Sequence, residues 1–207
     1  KRKDEGIIKI QNMGIHIEHI FTLEELQETE PNQSVMFKDV YINPFTKKMI
    51  QTIENKKSNI VISPDFTTTK EIINVVKVCA PHICGVKLHL DIITNLNENF
   101  LIEMRELVNE HDFIIIEDRK FADIGATIEK QLTNSHFKMI EYMDAVTTHT
   151  VSGSNIFDVF KKYKMPVIII QDMSSSNNLM TYDYMEESLV FANENKEIIL
   201  GVVGQQK

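Results

Sequence analysis

Residues 113 to 123 read FIIIEDRKFAD, and this stretch decides both the fold class and the position of the candidate functional site. An apolar run is followed at once by Asp118, Lys120 and Asp123 in an Asp-x-Lys-x-x-Asp pattern. Since successive side chains of a strand point to opposite faces, Asp118 and Lys120 are predicted to project the same way from its carboxyl end. Open α/β sheets and α/β barrels place their chemistry at that end.

The residue types in this cluster suit proton transfer. A lysine between two carboxylates stays protonated even when it is partly buried, because each negative charge stabilises the ammonium. Such a lysine can deliver a proton or stabilise a carbanion. The alternative is that residues 117 to 120 are a solvated run of charges that begins a helix, since surface charge clusters are commoner than active sites.

The rest of the chain alternates short β-branched runs with amphipathic stretches between residues 58 and 204. This alternation is typical of βαβ units and a parallel sheet. The clearest helices are Thr68 to Cys79, which Pro81 ends, and Phe100 to Asn109. Strands are predicted at Asn59 to Ser63, Ile83 to His89, Phe113 to Glu117, Asp144 to His149, Val167 to Gln171 and Ile198 to Val203.

Composition excludes several classes of partner. The chain of 207 residues has a net charge of −8 and no basic block, which disfavours nucleic acid and anionic membranes. It has no apolar stretch near the roughly 20 residues that span a bilayer and no visible signal peptide. Cys79 and Cys84 lie in or beside apolar segments without metal or disulfide spacing, so we expect core residues in a reducing, cytoplasmic compartment.

Three more predicted strand ends carry short polar motifs: SPD at residues 63 to 65, KLHLD at 87 to 91 and MSS at 173 to 175. Together with FIIIEDRKFADIG at 113 to 125, they resemble the signatures of the orotidine 5'-monophosphate decarboxylase family. The resemblance runs from about Ser58 to Gly204, with the motifs in the family's order and approximate spacing. Motifs at several separate strand ends therefore resemble the same family.

The fold that the resemblance implies is α/β, a (β/α)8 TIM-type barrel with about six of its eight strands in this chain. Residues 58–207 are then a decarboxylase-like barrel without its C-terminal part, and the arginine that grips the substrate phosphate is expected beyond Lys207. The strand count alone favours a doubly wound open sheet instead. We expect the isolated chain to bind the nucleotide poorly and to associate through its exposed strand edges.

The implied function is the decarboxylation of orotidine 5'-monophosphate to UMP without metal or cofactor. The resemblance makes Lys120 the proton donor and places Asp118 beside the departing carboxylate. Lys87 would hold the ribose hydroxyls and complete an alternating charge network with Asp118, Lys120 and Asp123. Alternation of charge keeps all four side chains ionised.

Substrate-binding roles are also implied for other strand-end residues. Ser63 and Asp65 match the pair that holds the ribose and base, and Ser174 matches the serine that contacts the pyrimidine edge. Asp123 and Thr127 match residues that reach into a neighbouring subunit's site, which implies a homodimer. Taken alone, a serine such as Ser174 is more often a turn or helix cap.

Two histidines are ambiguous. His89 belongs to the KLHLD motif and is included among the substrate-binding residues. A histidine at a strand end is usually hydrogen-bonded to its local surroundings, and this is the interpretation we prefer for His149.

The first 57 residues are polar and only locally apolar. Gly14 to Leu26 resembles the last strand and helix of an orotate phosphoribosyltransferase domain, followed by a linker from about Gln27 to Lys57. A fused transferase of the UMP synthase type is therefore a possible partner domain, although no transferase activity is carried over because its diphosphate-binding loop is not in this sequence. The alternative is an amphipathic N-terminal extension.

Two other functions compete with the decarboxylase hypothesis. A 3-keto-gulonate-phosphate decarboxylase-like enzyme shares Asp-x-Lys-x-x-Asp but uses the carboxylates around Mg²⁺. The motifs at residues 87 to 91 and 173 to 175 favour orotidylate over this sugar phosphate. The third hypothesis is an inactive, truncated barrel that serves as an assembly element of a larger synthase.

Overall fold

The computed structural model describes residues 17–18, 43–133 and 136–204. These residues form two compact units: the first includes residues 48–115, and the second includes residues 43–47, 116–133 and 136–204. The predicted transferase-like segment and linker lie outside the described residues, except for strand Ile17–Glu18 and the helix that begins at Pro44.

Helices and strands alternate along the described chain. The strands are β1 Ile17–Glu18, β2 Val61–Ile62, β3 Gly85–Leu88, β4 Ile114–Phe121, β5 Ala145–Thr148, β6 Val167–Ile170 and β7 Ile199–Val203. The α-helices are α1 Pro44–Lys56, α2 Thr69–Cys79, α3 Glu98–His111, α4 Gly125–Thr133, α5 Met139–Tyr142, α6 Ile156–Lys162 and α7 Tyr182–Glu194. Short 3-10 turns follow α2 at Ala80–His82 and β3 at Leu90–Ile92.

In the first unit, β2 pairs with β1 in antiparallel and with β3 in parallel orientation. The main-chain N–H of Ile114 donates to Cys84 O at 3.0 Å, which joins the start of β4 to the segment before β3. Lys56 Nζ donates to Ala80 O at 2.8 Å and Ile83 O at 2.7 Å. Burial lowers the pKa of Lys56, so these carbonyls stabilise an ammonium that is partly removed from water.

Local sequence signals set the ends of the helices in the first unit. The side chains of Thr68 and Asn97 cap the first turns of α2 and α3 by accepting main-chain N–H bonds. Pro81 lies in the 3-10 turn that ends α2, and Asp112 ends α3 in a left-handed conformation with φ 53°. A proline cannot continue the hydrogen-bonding ladder of a helix, which explains the stop that the sequence predicts.

In the second unit, β4, β5, β6 and β7 pair as parallel neighbours in sequence order. A doubly wound sheet reverses its strand order at a switch point, whereas barrel strands follow one another. The order in this unit therefore disagrees with the open doubly wound alternative. The strand VIII at 167–170 is apolar throughout, which is typical of a parallel strand whose two faces are both buried.

The six predicted strands and the two helices with predicted bounds agree with the observed ones to within two residues at each end, apart from one strand end. Helix α1 lies in the stretch that the sequence predicts as a linker. β4 extends to Phe121, whereas the sequence predicted an end at Glu117. Asp118 and Lys120 consequently lie within β4, near its carboxyl end, and not after the strand. The later end of β4 therefore places the candidate site inside the strand.

Both cysteines are core residues, as predicted: Cys79 and Cys84 are each 0% exposed. Burial raises the pKa of Cys79 to about 11 and that of Cys84 to about 12, because an apolar environment disfavours the thiolate. Among the described helices, none has the length and apolar character needed to cross a membrane.

Candidate active site

Asp118 and Lys120 form an ion pair at the end of β4. Lys120 Nζ lies 2.5 Å from Asp118 Oδ2, with side-chain exposures of 31% and 5% respectively. Glu117, the preceding residue, is fully buried at 0% exposure. The alternative of a solvated charge run that begins a helix is therefore wrong.

The backbone at Lys120 is in a conformation that non-glycine residues avoid. Its φ is 49°, and the pairing of β4 with β5 shifts register between Glu117 and Phe121. A left-handed lysine costs on the order of 1–2 kcal/mol. Strain of this kind persists where surrounding contacts fix it, and it concentrates at functional sites.

Thr147 on β5 contacts both members of the ion pair. Its hydroxyl accepts the main-chain N–H of Lys120 at 2.8 Å and donates to Asp118 Oδ1 at 2.7 Å. The residue is 2% exposed, so these contacts are shielded from water. One buried hydroxyl thus connects the strained lysine backbone to the paired carboxylate.

His149 follows β5 and is electrostatically coupled to the ion pair. Its main-chain N–H donates to Phe121 O at 2.7 Å, beside the end of β4. Burial lowers the pKa of His149, the positive charge of Lys120 lowers it further, and Asp118 acts in the opposite direction. The neutral imidazole of His149 is therefore the favoured form at neutral pH.

Tyr184 on α7 completes the local contacts of His149. Its hydroxyl lies 3.4 Å from His149 Nδ1, accepts the main-chain N–H of Thr150 at 3.0 Å and donates to Ile170 O at 3.1 Å. Thr150 Oγ1 in turn lies 2.7 Å from Ser188 Oγ. These bonds fix α7 to the ends of β5 and β6. The interpretation of His149 as locally hydrogen-bonded agrees with them.

The other predicted residues of the second unit lie in the segments after β4 and β6. Asp123 is exposed, and its Oδ1 accepts the main-chain N–H of Ile124 at 2.7 Å. Thr127 is half-buried near the start of α4, with its N–H bonded to Ile124 O at 3.0 Å. Ser174 is exposed in a bend.

The bend that contains Ser174 is held by Asn178. The Asn178 amide donates to Met173 O at 3.0 Å and to Ser175 O at 3.1 Å, on both sides of the serine. Asp172, which is 5% exposed, accepts the main-chain N–H of Met173 at 2.8 Å. Ser174 is therefore a turn residue presented by an internally bonded loop, and its substrate-binding role stays a prediction.

Four predicted residues belong to the first unit. Ser63 directly follows β2, is 5% exposed, and donates to Asp65 Oδ1 at 3.1 Å, which brings this predicted pair together. Lys87 lies within β3 and His89 directly after Leu88, and both are half-buried. The joint charge network of Lys87 with Asp118, Lys120 and Asp123 remains a prediction.

Sequence reasoning missed Thr147 and Tyr184. Thr147 had a detectable signal, because it is a polar residue inside the short buried strand AVTT, where a polar side chain needs a hydrogen-bonding partner. Tyr184 had none, since an aromatic residue on an amphipathic helix is ordinary. Within the described ranges, no group of three His, Cys, Asp or Glu side chains is placed to bind a metal ion.

Comparison with known proteins places this arrangement in a family. The chain is 33% identical over 169 residues to orotidine 5'-phosphate decarboxylase of Rhizomucor pusillus, covering 80% of this chain and 64% of that protein. It is 30% identical over 165 residues to uridine 5'-monophosphate synthase of Bos taurus, covering 78% of this chain and 34% of that protein. The chain thus spans less than two thirds of these relatives.

The fold has a counterpart among solved structures. Orotidine 5'-monophosphate decarboxylase from Methanocaldococcus jannaschii superposes with a TM-score of 0.56 at 21% identity, covering 67% of each chain. The prediction of a partial (β/α)8 barrel is confirmed. Since residues 58–207 match the family described as Orotidine 5'-phosphate decarboxylase / HUMPS, the chain belongs to that family.

Proposed function

We propose that this protein converts orotidine 5'-monophosphate to UMP in pyrimidine biosynthesis. The observation that carries the proposal is the Asp118–Lys120 ion pair, held at 2.5 Å inside the end of β4. Relatives named orotidine 5'-phosphate decarboxylase at about a third identity support the same reaction. The proposal makes the protein a carboxy-lyase that acts without metal or cofactor, in the cytoplasm.

The chemistry requires electrostatic stabilisation. Loss of carbon dioxide from C6 of the orotate ring leaves an electron pair in a vinyl-type orbital outside the ring π system, so the ring cannot delocalise it. A fixed ammonium aimed at C6 stabilises the developing carbanion and then protonates it. Lys120 fits this role because its backbone and its Nζ are both held by short contacts.

Asp118 supports Lys120 in two ways under this proposal. Its carboxylate, with a side-chain exposure of 5%, pairs with the ammonium and holds it in place when substrate displaces water. Its position beside the ammonium also places a negative charge near the carboxylate that leaves. Solvent exclusion strengthens both interactions, because charges interact more strongly in a low dielectric.

The remaining roles extend the proposal to substrate binding. Lys87 and Asp123 complete the charge network, while Ser63, Asp65, His89, Thr127 and Ser174 hold the ribose and pyrimidine. Asp123 and Thr127 also reach into the neighbouring subunit's site in a homodimer. The Bos taurus relative, a uridine 5'-monophosphate synthase, supports a fused orotate phosphoribosyltransferase domain as a further partner.

A magnesium-dependent sugar-phosphate decarboxylase of the same superfamily is the alternative, since it shares the Asp-x-Lys-x-x-Asp pattern. In that enzyme the carboxylates surround a metal ion. The direct contact between Lys120 and Asp118 favours the metal-independent reaction, because this carboxylate is already paired with a cation. An inactive assembly element of a larger synthase is the non-enzymatic alternative.

A turnover assay with chelation separates these functions. We expect UMP formation from orotidine 5'-monophosphate, unchanged by exhaustive EDTA treatment, in a polypeptide that carries this chain together with the segment matching the rest of its relatives. Loss of activity with EDTA and recovery with Mg²⁺ would assign the metal-dependent reaction. Absence of turnover in the extended polypeptide would favour the assembly element.

A further inference from the structure

We propose that Thr147 is a positioning residue that fixes both the backbone of Lys120 and the carboxylate of Asp118 through a single hydroxyl. The inference rests on the proposed function, in which these two residues form the charged centre of the reaction. Its geometry can nevertheless be tested without turnover. Thr147 lies on β5, 29 positions along the chain from Asp118.

The direction of both hydrogen bonds is fixed by chemistry. A main-chain N–H can only donate, so the Thr147 oxygen is the acceptor in its 2.8 Å bond with Lys120. The hydroxyl has one proton, which is directed to Asp118 Oδ1 at 2.7 Å. Valine has the shape of threonine but can neither accept nor donate a hydrogen bond through its side chain, whereas serine can do both.

The bond to Lys120 stabilises an unfavourable backbone conformation. Lys120 has φ 49° in a stretch where the pairing of β4 with β5 shifts register. Its N–H is bonded to the Thr147 side chain at that point. The hydroxyl thus helps to determine a conformation that would otherwise relax and redirect the lysine side chain.

The bond to Asp118 orients the carboxylate. The Thr147 hydroxyl donates to Asp118 Oδ1, while Lys120 Nζ donates to Asp118 Oδ2 at 2.5 Å. Rotation of the carboxyl group is therefore restricted from one side by the threonine and from the other by the ammonium. Because a displacement of about 1 Å can cost on the order of 100-fold in rate, this restraint is expected to affect kcat.

Thr148 provides a matched control. It is the next residue on β5, is 0% exposed, and also uses its hydroxyl, which lies 3.0 Å from Phe121 O and 3.0 Å from His149 O. Its hydroxyl contacts are to main-chain carbonyls, whereas those of Thr147 reach the ion pair. Thr147→Val and Thr148→Val each remove a buried hydroxyl from the same strand.

The first measurement needs no activity. Amide hydrogen exchange of the extended polypeptide used for the turnover assay should show faster exchange at Lys120 in Thr147→Val than in wild type, Thr147→Ser or Thr148→Val, after correction for global stability. Equal exchange at Lys120 in both valine variants would overturn the positioning role. This result is independent of which reaction the site performs.

The second measurement uses the turnover-competent polypeptide. We expect kcat to fall on the order of 100-fold in Thr147→Val with KM changed much less, and to recover substantially in Thr147→Ser. Thr148→Val should keep kcat near wild type. A Thr147→Val kcat within a few-fold of wild type, or an equal loss in Thr148→Val, would refute the inference. Lack of turnover in wild type would instead refute the proposed function.

Discussion

Replacement of Lys120 by alanine is the most direct test of the proposed chemistry. The change removes the ammonium that lies 2.5 Å from Asp118 Oδ2, while the β-carbon and the left-handed backbone remain possible. We expect decarboxylation to fall by several orders of magnitude with the fold largely intact. The reason is that the proton donor is lost and the strand is not.

The size of the effect follows from the two tasks of the ammonium. Positioned proton transfer contributes typically about 10²- to 10⁴-fold. One preorganised donor to developing charge is worth about 10²- to 10³-fold when it is removed. Since the same Nζ performs both tasks at a side chain that is 31% exposed, we expect a loss of at least about 10⁴-fold. That corresponds to roughly 5.5 kcal/mol of barrier at 1.36 kcal/mol per factor of ten.

The assay is the rate of UMP formation at saturating orotidine 5'-monophosphate, with circular dichroism and urea unfolding to verify the fold. Lys162→Ala is the matched control, because Lys162, an exposed residue at the end of α6, also forms a 2.5 Å ion pair, with Glu129 of α4. The control should keep full activity. If Lys120→Ala retained more than about a tenth of the wild-type rate, equivalent to about 1.4 kcal/mol, Lys120 would not be the donor.

Three further predictions concern the same structure. Lys120→Gly should be more stable than Lys120→Ala by about 0.5–1 kcal/mol in urea unfolding. Glycine adopts φ 49° without strain, and this gain exceeds the larger entropy that glycine loses on folding. Equal stability of the two variants would contradict the strained backbone. Native Cys79 and Cys84 should resist iodoacetamide and react only after unfolding, since burial raises their pKa values to about 11 and 12; rapid native labelling would contradict this. Folding lowers the pKa of His149 from its ordinary value of 6.5, so the unfolded chain binds more protons than the folded chain below pH 6.5. The free energy of unfolding should therefore fall as the pH drops through 6.5. His149→Gln should reduce this loss of stability, whereas His82→Gln, at an exposed histidine, should not. Equal losses in the two variants would argue against His149 as the cause.

The strand assignments were accessible from sequence because they depend on local periodicity. The apolar runs, the capping residues Thr68 and Asn97 and the helix stop at Pro81 all act within a few residues of where they lie. The shared face of Asp118 and Lys120 followed from the two-residue repeat of a strand. The pair of Ser63 and Asp65 followed from the family resemblance of the motif at residues 63 to 65. Those contacts required no knowledge of the tertiary structure.

The end of β4 was predicted incorrectly for the same reason. A run of four charged residues, from 117 to 120, is normally a signal that a strand has ended and solvent has begun. The strand instead continues to Phe121, because Glu117 and Asp118 are buried and Thr147 supplies a partner for the Asp118 carboxylate. Burial of charge depends on what the neighbouring strand offers, which local sequence does not contain.

The sequence by itself determined the alternating α/β organisation, the six parallel-strand segments and the residue types of the charged cluster. Only the tertiary structure decided that Lys120 has a left-handed backbone, that Thr147 bonds both members of the ion pair, and that His149 lies within their electrostatic influence. The physical reason is the range of the interactions involved. Strand and helix periodicity acts over a few residues, whereas Thr147 meets Lys120 across 27 positions, through the register of β5 against β4.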